Sequence, residues 1–509
     1  MTLGVQPAWA IHLQPGSQIP LQDEAARRYL RRGYLAEALL RAGARPALVA
    51  GDVALSYDEL RAAASAAAGR LKEIGVTQGL HVALFAENSA AWIVSYLGLQ
   101  LLGATVVGMN PAFKTAEAEQ ILTDSEAAVA LVDAGRQSLI DALRPRLKAL
   151  HHIARVKEIG SLETPHPDPP PQGGRDIATL QAEDPALLLY TSGTTGRPKG
   201  ALLDHGNLLA QGRGVVQAWR WTAEDRLVLA LPLFHVHGLA IALHGSLIAG
   251  GCAVLVPFSP ENVVRELRAG GTMFFGVPAM YQRLADFLDR NPADLRHVRL
   301  FVAGSAPLPT TLFERCERVL GQPVLERYGI TEGGIVVSNP YDGPRQPGRV
   351  GYPLPGVEVR LGEQDEVQLK GGQVFKGYWR NAGASADVFV DGWFRTGDIG
   401  EIAADGSLAI RGRIKELIIS GGYNVYPREV EMVLEQHPAV AEVAVAGLPS
   451  ERWGEEVTAF VVARTPVDSQ ELISFARERL ATYKCPRAVR FIAAIPRNAM
   501  GKIDRSKLE

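Results

Sequence analysis

Short apolar runs alternate with helix-period stretches along most of this chain, and no other feature of the sequence limits its fold as tightly. Residues 56–75 are Ala-rich with a helical period and begin at Ser56, a side chain suited to an N-cap. Residues 81–85 read as a strand, 90–103 as a helix and 104–109 as another strand. Strand, helix and strand in that order predict parallel sheets covered by helices. Further strand-like runs follow at 127–132, 254–257, 272–277 and 299–303. Turns and short alternating strands then gather at 392–413. Beyond Lys415 the pattern becomes compact α+β: a strand and turn, a helix at 428–436, strands at 441–446 and 457–463, and a helix at 469–480.

The expected fold class is therefore α/β: a large N-terminal domain of helix-covered sheets plus a small α+β C-terminal domain, which 509 residues suffice to build. The expected division is 1–35 as an extension without clear pattern that packs loosely, 36–413 as the large domain and 414–509 as the small one. Residues 166–174 (HPDPPPQGG) read as a surface loop.

Charge narrows the partners. Lys plus Arg total 53 and Asp plus Glu 55, a net −2, which gives no electrostatic reason to bind nucleic acid or an anionic membrane. The longest weakly apolar region, 239–258, is broken by His244, Gly245, Gly250 and Gly251, so it reads as buried helix and strand with no stable membrane insertion. The N-terminus lacks a basic start followed by an apolar stretch. Cys252, Cys316 and Cys485 are far apart and lack metal-ligand spacing, which fits a reducing, cytoplasmic location.

The chemistry concentrates in Thr191-Ser192-Gly193-Thr194-Thr195-Gly196-Arg197-Pro198-Lys199-Gly200, directly after an apolar strand at 186–190. Glycines let backbone N–H groups approach oxygens, hydroxyls donate hydrogen bonds and Lys199 adds charge, so this loop suits phosphate. It is not the Walker pattern. The stretch resembles the phosphate loop of the adenylate-forming superfamily, which includes acyl-CoA synthetases, luciferases and peptide-synthetase adenylation domains. Other stretches extend the resemblance over 55–502.

Tyr328-Gly329-Ile330-Thr331-Glu332 is similar to the family's Y-G-x-T-E, implying that Tyr328 stacks on adenine, Thr331 touches phosphate and Glu332, with Thr191, holds Mg²⁺. Asp398, in Thr396-Gly397-Asp398, and Arg413 resemble the ribose-binding pair. Gly304, Ser305 and Ala306 fall among the nucleotide contacts by the same resemblance, and Gly304 and Gly329 among those of the acyl group. Lys415 falls on the family's hinge, and Gly421, Gly422 and Tyr423 on the loop that meets CoA. Lys502, in Pro496-Arg497-Asn498-Ala499-Met500-Gly501-Lys502, matches the mobile adenylation lysine. The implied activity is ATP-, Mg²⁺- and CoA-dependent, with Lys502, Glu332, Thr191 and Lys199 as catalytic residues.

Pro232-Leu233-Phe234-His235-Val236-His237-Gly238-Leu239, Glu326-Arg327-Tyr328, and Val374-Phe375-Lys376-Gly377-Tyr378-Trp379-Arg380 resemble the malonyl-CoA synthetase branch. Arg283 matches that branch's arginine for a distal carboxylate; alternatively it lies on a helix surface and pairs with Asp286 or Glu266. His237 reads as a pocket wall and His235 as a gate near the thiol path, or both as ordinary core histidines. Malonate or methylmalonate is the implied acid, with oxalate or a medium- or long-chain fatty acid as alternatives. A luciferase-type enzyme shares these motifs. A peptide-synthetase adenylation domain would be followed by a carrier domain, which this sequence does not carry. A non-catalytic nucleotide-binding relative would be expected to lack Lys502, Glu332 or Asp398.

Two departures stand out. Thr331-Glu332-Gly333-Gly334 replaces the family's Thr-Glu-Thr or Thr-Glu-Ser, implying a lost hydroxyl and a wider pocket. The 359–374 connection is short, which should trim a surface hairpin.

Overall fold

The structure, a computed structural model, describes residues 6–162, 180–191, 198–420, 422–450, 452–497 and 503–508. The 166–174 loop lies outside these residues. One six-stranded sheet runs in the order His152–Arg155, Val129–Val132, His81–Phe85, Thr105–Gly108, Pro185–Thr191, Lys199–Asp204. Its pairs are parallel except the last, where Pro185–Thr191 and Lys199–Asp204 form an antiparallel hairpin. The inner strands Val129–Val132, His81–Phe85 and Thr105–Gly108 are buried throughout, which is why their sequences are continuous apolar runs rather than alternating ones.

A nine-stranded sheet has a parallel interior, in which Met273–Gly276 and Leu300–Ala303 lie between Arg226–Leu229 and Leu325–Ile330. In such sheets ligands gather beyond the carboxyl ends of the strands, and here those ends carry Gly304 and Thr331. A five-stranded antiparallel sheet contains the hairpin Val357–Leu361 with Glu366–Gly371, joined by only four residues, as the short 359–374 connection requires. The helix Tyr57–Glu73 begins on a capping box: the Ser56 hydroxyl accepts from the Glu59 amide and the Glu59 carboxylate accepts from the Ser56 amide. The 239–258 region is buried helix and strand: a π-helical turn His237–Leu243, the helix His244–Ala249 and the strand Cys252–Leu255. Among the described residues no helix is long and apolar enough to cross a membrane.

After Arg413 the chain makes a 3₁₀ turn, Ile414–Glu416, and builds a separate sheet. There Ile418–Ser420, Gly454–Ala463 and Val440–Ser450 pair antiparallel, and Ala488–Phe491 adds in parallel. Helices Pro427–Leu434 and Ser469–Arg477 supply the apolar side of this unit's own core.

The N-terminal segment differs from expectation. Trp9, Ala26, Leu30 and Leu35 are buried, the Trp9 indole donates to Asp23 Oδ1 at 2.7 Å, and Arg31 pairs with Asp204 at 2.9 Å. Residues 6–35 are thus packed onto the large domain. Their anchors are single large side chains rather than a period, so pattern reading passes over them.

Candidate active site

Strand register brings together the residues expected at the nucleotide. Asp398 on Trp393–Ile402 lies opposite Arg413 on Leu408–Arg413, and Arg413 Nε approaches Asp398 Oδ1 at 2.8 Å. Tyr328, on Leu325–Ile330, donates its hydroxyl to Asp398 Oδ2 at 2.6 Å. Asp398 is only 2% exposed, and its charge is the largest influence raising the Arg413 guanidinium above its ordinary range. Burial, then the Asp398 charge, pushes the Tyr328 phenol well up, so it stays a donor. Each carboxylate oxygen keeps a second acceptor direction, enough for two vicinal hydroxyls.

Of the residues expected at the phosphates, Thr191 and Lys199 face each other across the hairpin; the Thr191 hydroxyl donates to the Lys199 carbonyl at 3.4 Å. Ser192, Gly193, Thr194, Thr195 and Gly196 lie outside the described residues. Lys199 Nζ stands 5.3 Å from the centre of the Tyr378 ring, and Tyr378 donates its hydroxyl to Glu332 Oε1 at 2.9 Å. Burial, opposed by hydrogen bonds and Arg413, raises the Glu332 carboxyl above its usual range. A half-buried carboxylate destabilised by burial suits a hard cation, so the chemistry of Glu332 is compatible with Mg²⁺. Tyr378 lies within the 374–380 motif, but the sequence alone does not mark it as a site residue. A bridge to Ala201 and the Trp379 N–H to Gly200 O bond (2.8 Å) bring it to the phosphate hairpin.

The turn after Thr331 holds the two glycines of the altered motif. Gly334 has φ +63°, and a Cβ there would fall 1.8 Å from Gln211 Oε1. A Cβ at Gly333 would meet Val336, Ile330 and Val374. A side chain at 333 would therefore start out among apolar groups.

Gly304, expected at both the nucleotide and the acyl group, and Ser305 and Ala306, expected at the nucleotide, follow Leu300–Ala303. Ser305 adopts φ +69°, and its hydroxyl lies 3.2 Å from His237 Nδ1. Burial, helped by Arg327 and His235, holds the His237 imidazole well below its normal range and hence neutral. His237 is 2% exposed, and its Nε2 has no partner among the described residues. His235 Nδ1 lies 3.4 Å from the His237 amide. At Gly329 a Cβ would strike the Gly334 carbonyl oxygen at 2.3 Å, so only glycine fits.

Arg283 departs from its expected place in this pocket. Helix Pro278–Arg290 buries Met280, Tyr281, Leu284, Ala285 and Leu288, and this periodicity turns Arg283 outward, exposed, with its guanidinium 4.9 Å from the Phe258 ring centre. The surface alternative fits better, although Asp286 instead pairs with Arg315. The cation buried near His237 is Arg327, which strand alternation alone could have flagged as a charge inside a sheet.

In the C-terminal unit, Lys415 is exposed in its 3₁₀ turn, Gly422 has φ +81°, and Tyr423, 58% exposed, stacks on Tyr483 at 4.8 Å. The guanidiniums of Arg452 and Arg487 stand 4.8 and 3.6 Å from the centre of the Trp453 ring. Gly421 and Lys502 lie outside the described residues.

Comparison with known proteins adds the following. The AMP-binding enzyme family profile matches residues 35–379, and that of the AMP-binding enzyme C-terminal domain matches 429–502. A 2-succinylbenzoate–CoA ligase of Bacillus licheniformis is 37% identical, over 91% of this chain and 96% of its own. The human mitochondrial malonate–CoA ligase is 35% identical, over 84% of this chain and 82% of its own. Among solved structures, ATP-bound MatB from Rhodopseudomonas palustris superposes with a TM-score of 0.85 at 34% identity, covering 95% of this chain and 98% of the other.

Proposed function

The chain belongs to the AMP-binding enzyme family and is an ATP-dependent, AMP-forming acyl-CoA ligase; from that premise we propose that its acid is malonate or a methyl-substituted malonate. What supports the substrate is that relatives matched along most of the chain act, by their names, on malonate and 2-succinylbenzoate, acids with two carboxylates.

A carboxylate resists nucleophilic attack because attack adds charge to an anion. In the first step the acid's oxygen attacks the α-phosphate of ATP, and the bond to pyrophosphate breaks. The two reactants are both anions, so positioning and charge neutralisation are the main demands. Asp398 and Arg413 would fix the ribose and Tyr328 the adenine. Lys199, Thr191 and the 192–196 loop would hold the phosphates, and Lys502 would bridge acid and nucleotide. Mg²⁺, when bound at Glu332 and Thr191, would neutralise charge on the departing pyrophosphate. In the second step the CoA thiol, with an ordinary pKa of about 8.5, attacks the acyl carbon and AMP leaves. Rotation about Lys415 would withdraw Lys502 and bring Gly421, Gly422 and Tyr423 to the thiol path. The three cysteines are free and buried, in keeping with a reducing compartment such as the cytoplasm.

A carboxylate panel in an AMP-formation assay tests the substrate. Malonate is expected to exceed acetate, butyrate, octanoate and oxalate in kcat/KM. Octanoate in first place would make the protein a fatty-acid ligase, and a leading monocarboxylate of any length removes the diacid reading.

A further inference from the structure

We propose that Arg31, in the N-terminal segment, is a positioning residue for the nucleotide phosphates, tying together the two stretches that carry Lys199 and Tyr378. This rests on the assignment of Lys199, Glu332 and Tyr378 to the phosphate side of the site. Arg31 closes helix Asp23–Leu30 and reaches across to helix His205–Ala218. A Cβ at Gly206, in the first turn of that helix, would fall 2.7 Å from Arg31 Cζ. A Cβ at Gly372 would fall 3.3 Å from Arg31 Cγ. The two glycines thus leave the slot that this side chain fills. Within it, Nη2 of Arg31 donates to Asp204 Oδ2 at 2.9 Å and Nη1 donates to the Gly372 carbonyl at 2.8 Å.

Both bonds end on chain that leads to the phosphate side. Asp204 closes the strand Lys199–Asp204 and caps the helix after it, its Oδ1 accepting from the Asn207 amide at 2.7 Å. Asp204 is only 5% exposed, so its charge requires a cation beside it. Lys376 Nζ stands 3.3 Å from the same Oδ2, but its side chain is exposed. Exposed Glu183 lies 3.7 Å from Arg31 and competes only weakly for it. Gly372 begins the stretch that runs to Tyr378. Along that stretch the Phe375 amide donates to the Glu332 carbonyl at 2.8 Å, and the Tyr378 hydroxyl donates to the Glu332 carboxylate. The strand and the stretch are therefore joined at one end by the Ala201–Tyr378 bridge and at the other by Arg31. A rigid fork of donors fixes the separation of the carboxylate and the carbonyl that it holds. Asn207 spans the same gap, donating at 2.9 Å to the carbonyls of Gly372 and Val374, so losing Arg31 loosens this spacing without opening it. Lys199 and the Tyr378 ring sit at the far end of the frame, where a small displacement changes how they meet a phosphate.

The test reads nucleotide binding apart from turnover. ATP is titrated, with no acid present, into full-length wild type, Arg31→Gln, Arg31→Lys, Tyr378→Phe and the Arg31→Gln/Tyr378→Phe double variant, with a thermal melt of each. Arg31→Gln is expected to raise the Kd for ATP about tenfold and, in AMP formation, to leave the KM for the acid little changed. Arg31→Lys keeps a charge for Asp204 but not the fork, and should recover part of the affinity. In the Tyr378→Phe background, Arg31→Gln should cost much less, because the stretch through which it acts has lost its bond to Glu332. Asp23→Ala is the control: it removes the acceptor of the Trp9 indole, and should lower the melting temperature without changing the Kd. A lower melting temperature with an unchanged Kd in Arg31→Gln overturns the proposal. So does a full tenfold cost in the Tyr378→Phe background, or an Asp23→Ala variant that weakens ATP as much as Arg31→Gln does. If Tyr378→Phe leaves the Kd unchanged, the phosphate-side assignment fails and the proposal with it. If Tyr378→Phe raises the Kd and Arg31→Gln does not, only the proposal fails. Should the Gln variant not fold, the Lys variant decides: a raised Kd supports the role of Arg31, and a wild-type Kd overturns it.

Discussion

Glu326 is a buried acid, 4% exposed, whose carboxyl burial raises to about 7 despite the Leu308 amide and the attraction of Arg428. Its folded pKa lies above the unfolded value of 4.5, so the sign is that of a group stabilised by its proton. The associated stability is fully present below pH 4.5 and is lost as pH rises through about 7. A shift of this size corresponds to roughly 3 kcal/mol as an upper bound. Glu326→Gln keeps an oxygen for the Leu308 amide and cannot ionise. Its melting temperature should therefore gain on wild type as pH goes from 5 to 8. Parallel melting curves across that range would show that the acid does not titrate there.

Tyr378 shows how an element, and not a residue alone, makes the phosphate side. The antiparallel bridge to Ala201 and the Trp379–Gly200 bond hold this stretch over the hairpin, so one ring meets both Lys199 and Glu332. Tyr378→Phe keeps the ring for Lys199 and removes the donor to Glu332. A hydrogen bond to a charged group contributes about 1.5–3 kcal/mol, so the KM for MgATP in pyrophosphate exchange should rise roughly tenfold with little change in melting temperature. An unchanged KM would leave Glu332 independent of the tyrosine. The sequence made the strands 81–85 and 299–303 legible because burial on both faces writes itself as an apolar run. It made Asp398 and Glu332 legible because motif spacing carries them. It hid Tyr378, whose role depends on a pairing between residues 177 apart, counting from Ala201. It hid Trp9 because one buried indole has no period, and it misplaced Arg283 because a motif match carries no information about which helix face is buried.

At the scale of the whole molecule, the proposed mechanism asks one lysine to serve one half-reaction and leave for the other. Bringing an acid to the α-phosphate sets two anions together, and Lys502 is the cation assigned to that encounter. The thiol needs the same approach to the acyl carbon once AMP is in place, and a lysine fixed there would block it. The 3₁₀ turn Ile414–Glu416 joins a sheet with its own apolar core to the large domain, so a change at Lys415 would carry that sheet as a body. Lys502→Ala should then separate the steps. Pyrophosphate release from acid and ATP should fall at least about 100-fold, the scale of losing one group that stabilises developing charge. Thioester formation from supplied acyl-adenylate and CoA should stay within a few-fold of wild type, because that step proceeds with the lysine withdrawn. Both rates are read on the same protein, so misfolding would depress both. Adenylation at the wild-type rate would remove Lys502 from the chemistry, and equal loss of both steps in a variant that melts like wild type would mean that the two half-reactions share one arrangement of the domains.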